Sequence, residues 1–241
     1  MYNLRDLDII YIVKDTKYNG ELRHSLRSVA KNFPHRNILF AGGLPEGLVP
    51  DGLIKVEQNE GNKYDNVHKV FEAINRYYKD DMENREFVIF NDDFFVLKPI
   101  KELPPYINGR LSTLKSNVLK NNHNQISHYT IRLDQIMDGL KRHHLTSWNF
   151  ELHIPMIYNA DLLNQEFERM NDRNYQSRST YGNMFYKRKD CIARKDVKIY
   201  DKYTIPEPDQ DFVSTTDESF NQGKVGKYLR EMFSEPCEYE V

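Results

Sequence analysis

The sequence predicts an α/β fold, an open and mostly parallel sheet flanked by helices, and three observations lead to it. Short apolar runs, DIIYIV (8–13), NILFAGG (37–43) and EFVIF (86–90), read as strands. Amphipathic stretches with helical spacing lie between them, giving strand, helix, strand, short strand, helix, strand, the alternation of a parallel sheet. The composition, 39% hydrophobic and 29% charged with 16 Tyr, 13 Phe and 1 Trp, is that of an ordinary globular protein.

In chain order, the strand at 8–13 leads to GELRHSLRSVAKNF (20–33). There Leu22, Leu26, Val29 and Phe33 fall on one helical face and Pro34 stops the helix. The strand at 37–43 ends in glycines, and LIKVEQ (53–58) is a weaker third strand. NVHKVFEAINRYY (66–78) places Val67, Val70, Phe71 and Ile74 on one face of a second helix. EFVIF (86–90) is the fourth strand. The second half is less regular: helices are predicted at 106–122, 126–144 and 160–170, an extended segment at 149–159 and a strand at 196–201. A loop at 205–211 and a short helix at 225–233 close the chain. No linker separates the halves, so 1–241 is read as one domain, with 1–100 as the donor and metal half and 101–241 as the acceptor half.

Composition narrows the function. A net charge of −2 gives no global basic field for nucleic acid, although a local groove is compatible with it. Cys191 and Cys237 make neither a disulfide scaffold nor a four-cysteine zinc site. No apolar run has transmembrane length, and MYNLRDLD is not a signal peptide, so a cytoplasmic location is expected (the host cytoplasm if the chain is phage-encoded).

The chemistry concentrates in EFVIFNDDFFVLKPI (86–100). A buried strand runs into Asn91, Asp92 and Asp93 and then into two phenylalanines. Adjacent acids repel each other and an apolar setting raises the cost of ionising both. A divalent cation with oxygen ligands, Mn²⁺ or Mg²⁺, would compensate them and bridge to substrate phosphates. In the alternative reading one Asp caps a turn and the other faces solvent. Open parallel sheets carry their sites at the carboxyl ends of the strands, which is where this pair is expected.

Other candidates follow from position. Glu21, Arg23 and Arg27 open the first helix, whose amino terminus attracts phosphate. Arg23 and Arg27, four apart, share a side and suit a bidentate clamp, or else form a solvated face with Glu21. Lys63, Asp65, Asn66 and His68 flank the start of the second helix, where Asp65 or Asn66 is an ordinary N-cap and the group can also line a donor pocket. His153, in ELHIPM, lies in an extended stretch in which Glu151 alternates to its face. Arg178 in RSTYGN can neutralise leaving phosphate charge.

The order of GELRHSLRSVAKNFPHRNILFAGG, KYDNVHKVFEAI, FVIFNDDFFVLKPI, HIPMIYNADLL and FSEPCEYE resembles the conserved regions of the Stealth family of sugar-phosphate transferases. It is similar at least as much to phage-encoded glycosyltransferases sharing N-D-D-F-F, H-x-P-M and R-S-x-Y-G-N, the last matched by RSTYGN (178–183). The match departs at YIVKDTK (11–17), where Stealth members carry a W-V-D-G-S-D-like segment. The resemblance implies a GT-A-like fold and a metal-dependent transferase acting on a UDP- or GDP-type nucleotide-sugar donor, moving a glycosyl or sugar-1-phosphate group. The resemblance leaves the acceptor open, a glycan, a protein or a modified nucleic acid being the candidates. It implies Asp92, Asp93 and His153 as metal ligands, with Asp93, His153, Arg178 and Glu21 catalytic. Asp15, Arg23, Arg27, Lys63, Asp65, Asn66, Asn91 and Asp92 would contact the donor, and Asp217 in TTDES is a loose match to the last acidic motif. A competing reading, motivated by Arg110, Lys115, Lys120, Arg132, Lys141 and Arg142, is a phage nucleic-acid-binding protein or a DNA-base glycosyltransferase on the same fold.

Overall fold

The computed structural model of the chain describes residues 2–58, 63–79, 85–170 and 177–241. The chain divides into two compact units, one of Met1–Leu103, His153–Ala160 and Val197–Val241, the other of Pro104–Leu152 and Asp161–Asp196.

The first unit is built on a five-stranded sheet of β1 (Asp8–Val13), β2 (Ile38–Gly42), β3 (Gly52–Lys55), β4 (Glu86–Asn91) and β7 (Met156–Asn159), in the order β3-β2-β1-β4-β7. β1 to β4 are parallel, with Ile10 beside Leu39 on one side and Ile89 on the other. β7 is an antiparallel edge strand with Tyr158 opposite Phe87. β1, β2 and β4 read as nearly continuous apolar runs because their residues are buried almost throughout.

Helix α1 (Gly20–Asn32) and helix α2 (Lys63–Tyr78) connect the parallel strands. α1 buries Leu22, Leu26 and Val29, as its spacing requires. In α2, Val70 and Ile74 are buried and Phe71 packs against Tyr158, but Val67 is exposed and so leaves the predicted stripe. Gly42 ends β2 with φ +122, and a Cβ there would lie 2.1 Å from the Val13 carbonyl oxygen. Only glycine lets the β2 end pass the β1 end so closely.

A second layer was not foreseen from the sequence. β5 (Phe94–Val96) pairs antiparallel with β9 (Phe212–Ser214). Helices α7 (Asp217–Gln222) and α8 (Lys224–Met232) pack on that pair through Phe95, Val213, Phe220, Val225 and Leu229. The strand predicted at 196–201 is absent. Lys198 makes one isolated parallel bridge to Ser214, and the segment otherwise packs Val197 and Ile199 inward.

The second unit is mostly helical. α3 (Leu111–Asn121) starts later than predicted, because Tyr106–Ile107 forms a short strand β6 and Gly109 turns the chain with φ +68. β6 pairs with β8 (Ile192–Ala193). α4 (His128–Arg142) packs on α3 through Leu111, Leu133, Ile136 and Leu140, joined by Met170 at the end of α5 (Ala160–Met170). RSTYGN forms α6 (Arg178–Phe185), an unpredicted helix capped by Ser177.

Candidate functional site

The two aspartates occupy a tight turn between β4 and β5. Because β1 and β4 are parallel neighbours, this turn lies at the edge of the sheet where α1 begins. A polar seam on α1 fixes the alignment. Ser25 Oγ donates to the Phe94 carbonyl, Ser28 Oγ accepts the Val96 N–H at 3.0 Å, and Asn32 Nδ2 donates to the Val96 carbonyl at 2.8 Å. Buried backbone groups of β5 would otherwise lack partners. The amino end of α1 is thereby brought to the turn. Asn19, the N-cap, accepts the Leu22 N–H at 2.9 Å and donates Nδ2 to Asp92 Oδ2 at 2.7 Å.

Asp93 points toward β9 and the segment before it. Its Oδ2 accepts from Lys198 Nζ at 2.7 Å and from Ser214 Oγ at 3.0 Å. Glu21, one residue into α1 and nearly buried, accepts from Thr215 Oγ1 at 2.6 Å and shares a hydrogen bond with Asp217. Glu21, Asp92, Asp93 and Asp217 lie near one another, with Lys198 paired to Asp93.

The electrostatics follow. Burial, and then the charge of Asp93, pushes the Asp92 carboxyl up to about 6 against the hydrogen bond from Asn19. A hydrogen bond to a charged group contributes about 1.5–3 kcal/mol, less than the several kcal/mol of removing an ion from water, so burial wins. Glu21 is pushed up to about 8, first by burial and also by the Asp217 hydrogen bond and the charges of Asp93 and Asp92. The α1 dipole favours an ionised Glu21 by about 0.3–1 kcal/mol, too little to reverse this. Asp92 and Asp93 each keep a carboxylate oxygen beyond those that Asn19, Lys198 and Ser214 engage, a donor set of the kind a hard divalent cation uses together with diphosphate oxygens and water. Among the described residues no group of three or more His, Cys, Asp or Glu is arranged to hold a metal ion.

The remaining sequence candidates have other surroundings. Arg23 and Arg27 both grip Glu240. Arg27 Nε and Nη2 donate to its two oxygens at 2.6 and 2.7 Å, and Arg23 Nη1 donates at 2.6 Å. The pair is a clamp, as its spacing suggests, and in this structure the anion it holds is a side chain of the same chain. Asn91 is the last residue of β4 and lies beside Ile12 of β1. Asp15 is exposed just past β1, its N–H donating to Gln58 Oε1 at 3.2 Å. Asp65 and Asn66 lie in the first turns of α2, which starts at Lys63 rather than after them; the side chain of Lys63 lies outside the described residues. His68 pairs with Glu72 at 3.2 Å.

His153 is half-buried, its ring edge-on to Phe94 with centroids 6.3 Å apart. Residues 151–154 are not in a strand, so the alternation that put Glu151 on its face does not operate. Glu151, in the second unit, instead accepts the Ser179 N–H at 2.8 Å, and Arg178 of that unit donates to the Leu152 carbonyl.

Sequence reasoning missed Asn19, Lys198, Ser214 and Thr215. Lys198 alone carried a signal, a single lysine between two buried aliphatic residues, Val197 and Ile199. The polar partners from 214–215 reach the turn through β9 pairing, which no local pattern announces.

No family model matches the sequence, and no curated protein matches it. Among solved structures the chain is similar to the galactosyltransferase LgtC in complex with donor and acceptor sugar analogs, at 10% identity, TM-score 0.47 and 96% coverage of both chains. A glycosyltransferase involved in the glycosylation of the major capsid of PBCV-1 aligns at 10% identity and TM-score 0.40, over 95% of this chain and all of that one. The glycosyltransferase GlyE of Streptococcus pneumoniae TIGR4 aligns at 11% identity and TM-score 0.36, over 95% of this chain and 49% of that one. These likenesses are loose, and the α/β assignment stands on the sheet itself. Among the described residues no helix is long and apolar enough to cross a membrane.

Proposed function

We propose that the chain is a glycosyltransferase that draws on a nucleotide-sugar donor of the UDP or GDP type, with the Asp92–Asp93 turn facing the donor diphosphate. The observation that supports this most is the gathering of carboxylates at the carboxyl edge of a parallel sheet, Glu21 and Asp93 buried, Asp92 half-buried and Asp217 exposed, with Lys198 paired to Asp93. The resemblance of the motif order around the turn to sugar-phosphate transferases and glycosyltransferases supports sugar nucleotides as the donor class.

Asp92 and Asp93 would hold Mn²⁺ or Mg²⁺ through the oxygens left by Asn19, Lys198 and Ser214. The cation supplies charge compensation for the diphosphate as it leaves. His153, whose ring packs against Phe94 just past the turn, is assigned to the donor rather than to the cation. Glu21, whose carboxyl burial pushes up to about 8, would hold its proton, and the exposed Asp217 carboxylate beside it would act as base. The acceptor hydroxyl gives its proton to that carboxylate, its oxygen bonds to the anomeric carbon, and the anomeric carbon–phosphate oxygen bond breaks to release the nucleoside diphosphate.

The short Lys198–Asp93 pair favours a second reading, in which Lys198 itself supplies the positive charge and transfer needs no metal. Thermal shift with UDP, GDP and their sugars, in Mn²⁺ and in EDTA, separates these. The first reading expects stabilisation by one nucleotide only with Mn²⁺. The second expects it in EDTA and lost in Lys198→Gln. No shift with any donor in either condition contradicts both.

A further inference from the structure

Charge is divided unevenly between the two units. The first carries 20 Lys and Arg against 27 Asp and Glu, a formal charge of −7; the second carries 14 against 9, a formal charge of +5. Two of the second unit's arginines meet at one tryptophan. Arg110 sits with its guanidinium carbon 3.7 Å from the centroid of the Trp148 ring, and that of Arg188 lies 5.0 Å from the same centroid.

We propose that Arg110, Arg188 and Trp148 form an anion site that takes a phosphate group. This inference is independent of the transferase reading. Two guanidiniums over one indole repel each other, and cation–π attraction returns about 0.5–1 kcal/mol each where exposed. Among the described residues neither arginine is paired with a carboxylate. Arg188 donates a side-chain hydrogen bond to the Cys191 carbonyl of its own turn, at 3.4 Å.

Arg110 is also the N-cap of α3 and makes no side-chain cap, so the positive end of that helix adds to the same field. Cation–π contact with the ring holds each guanidinium at the site, and a guanidinium suits a forked contact to phosphate oxygens.

Further polar and basic groups lie nearby in the chain. Ser147, next to Trp148, accepts the Leu111 N–H at 3.0 Å and lines an open cavity of about 560 Å³ together with Lys141, His144, Met137 and Leu145. β8 pairs with β6, and Arg194, just past β8, lies over the Tyr106 ring at 5.1 Å. The indole already holds two guanidiniums, so it serves to position cations rather than to offer a bare platform for a stacking base. That favours recognition of the phosphate itself, whether on a small phosphate ester or along a phosphodiester chain.

Trp148 is the only tryptophan in the chain, so its fluorescence reports this site directly. The test titrates the full chain at low ionic strength with sodium pyrophosphate and, separately, with a twelve-nucleotide oligothymidylate. Sodium chloride of matched ionic strength is the blank. The expected result is a saturable change absent from the blank, with affinity weakened about tenfold or more in Arg110→Gln and in Arg188→Gln and unchanged in Lys227→Gln.

Tighter binding of the oligonucleotide than of pyrophosphate would identify a phosphodiester chain as the source, and the reverse a small ester. Melting by circular dichroism verifies folding. Should Arg110→Gln fail to fold, Arg188→Gln, an exposed residue of a short turn, decides alone. No saturable change with either probe, or full affinity in the folded arginine variants, overturns the proposal.

Discussion

Replacing Glu21 by Gln tests the electrostatic account of the acidic cluster. The Glu21 carboxyl is pushed from 4.5 up to about 8, burial being the first cause. A folded-state pKa above the unfolded value means that the folded chain binds the proton more tightly. The stability this contributes is present below about 4.5 and is lost as pH rises toward 8. Between pH 5.5 and 7 the unfolded group is mostly ionised and the folded one mostly protonated. Each pH unit then removes about 1.4 kcal/mol, or about 2 kcal/mol over the window.

Glutamine keeps an oxygen for the Thr215 hydroxyl, which donates at 2.6 Å, and can offer an N–H to Asp217. It has no proton to lose. In EDTA, the wild type should therefore lose about 2 kcal/mol relative to Glu21→Gln between pH 5.5 and 7, which for a chain of this size is about 4–8 °C in melting temperature. Asp92, raised to about 6, titrates in the same direction in both proteins and cancels in the comparison. Identical pH dependence in the two proteins, or a wild type that gains stability over this window, would refute the reasoning.

Glu240→Ala should destabilise the chain by about 3 kcal/mol, because Arg23 and Arg27 lose their shared carboxylate, measured by thermal melting. Those arginines hold the Glu240 carboxyl down to about 2, so the stability it supplies should persist above pH 4.5 and fade as pH drops toward 2, a fall absent from the variant. Gly42→Ala should cost about 2 kcal/mol or more by the same assay, since φ is +122 and the new Cβ meets the Val13 carbonyl oxygen. Lys198→Met should destabilise by about 3 kcal/mol, leaving Asp93 buried beside Glu21 and Asp92 without its ion pair, and adding Mn²⁺ should restore part of the loss.

The sheet was legible because β1, β2 and β4 are buried along their lengths and α1 and α2 carry apolar stripes. The β5–β9 layer was not, because its strands are three residues long and their pairing spans more than a hundred residues. The first helix of the second unit was read five residues too early, where Tyr106 and Ile107 pair with 192–193 and Gly109 turns the chain.

At the site, the acidic turn could be found because two carboxylates inside an apolar run are conspicuous. Asp217, reached from the sequence by a loose motif match, does stand beside Glu21. What hid the rest is that Lys198, Ser214 and Thr215 act through tertiary pairing. Arg23 and Arg27 looked like a clamp for a ligand because the carboxylate that fills it is more than two hundred residues away. Arg110, Trp148 and Arg188 are likewise dispersed in sequence and meet only through the bridge between Arg110 and Trp148 and the turn at 188–190.

The most direct test of the central claim is calorimetric titration of the wild type and Asp93→Asn with UDP, GDP and their sugars, each with and without Mn²⁺. The account expects one nucleotide family to bind the wild type with Mn²⁺ present, and the variant to lose about tenfold or more in affinity through the missing charge. Absence of heat from every donor in the wild type, or equal affinity in the variant, would contradict it.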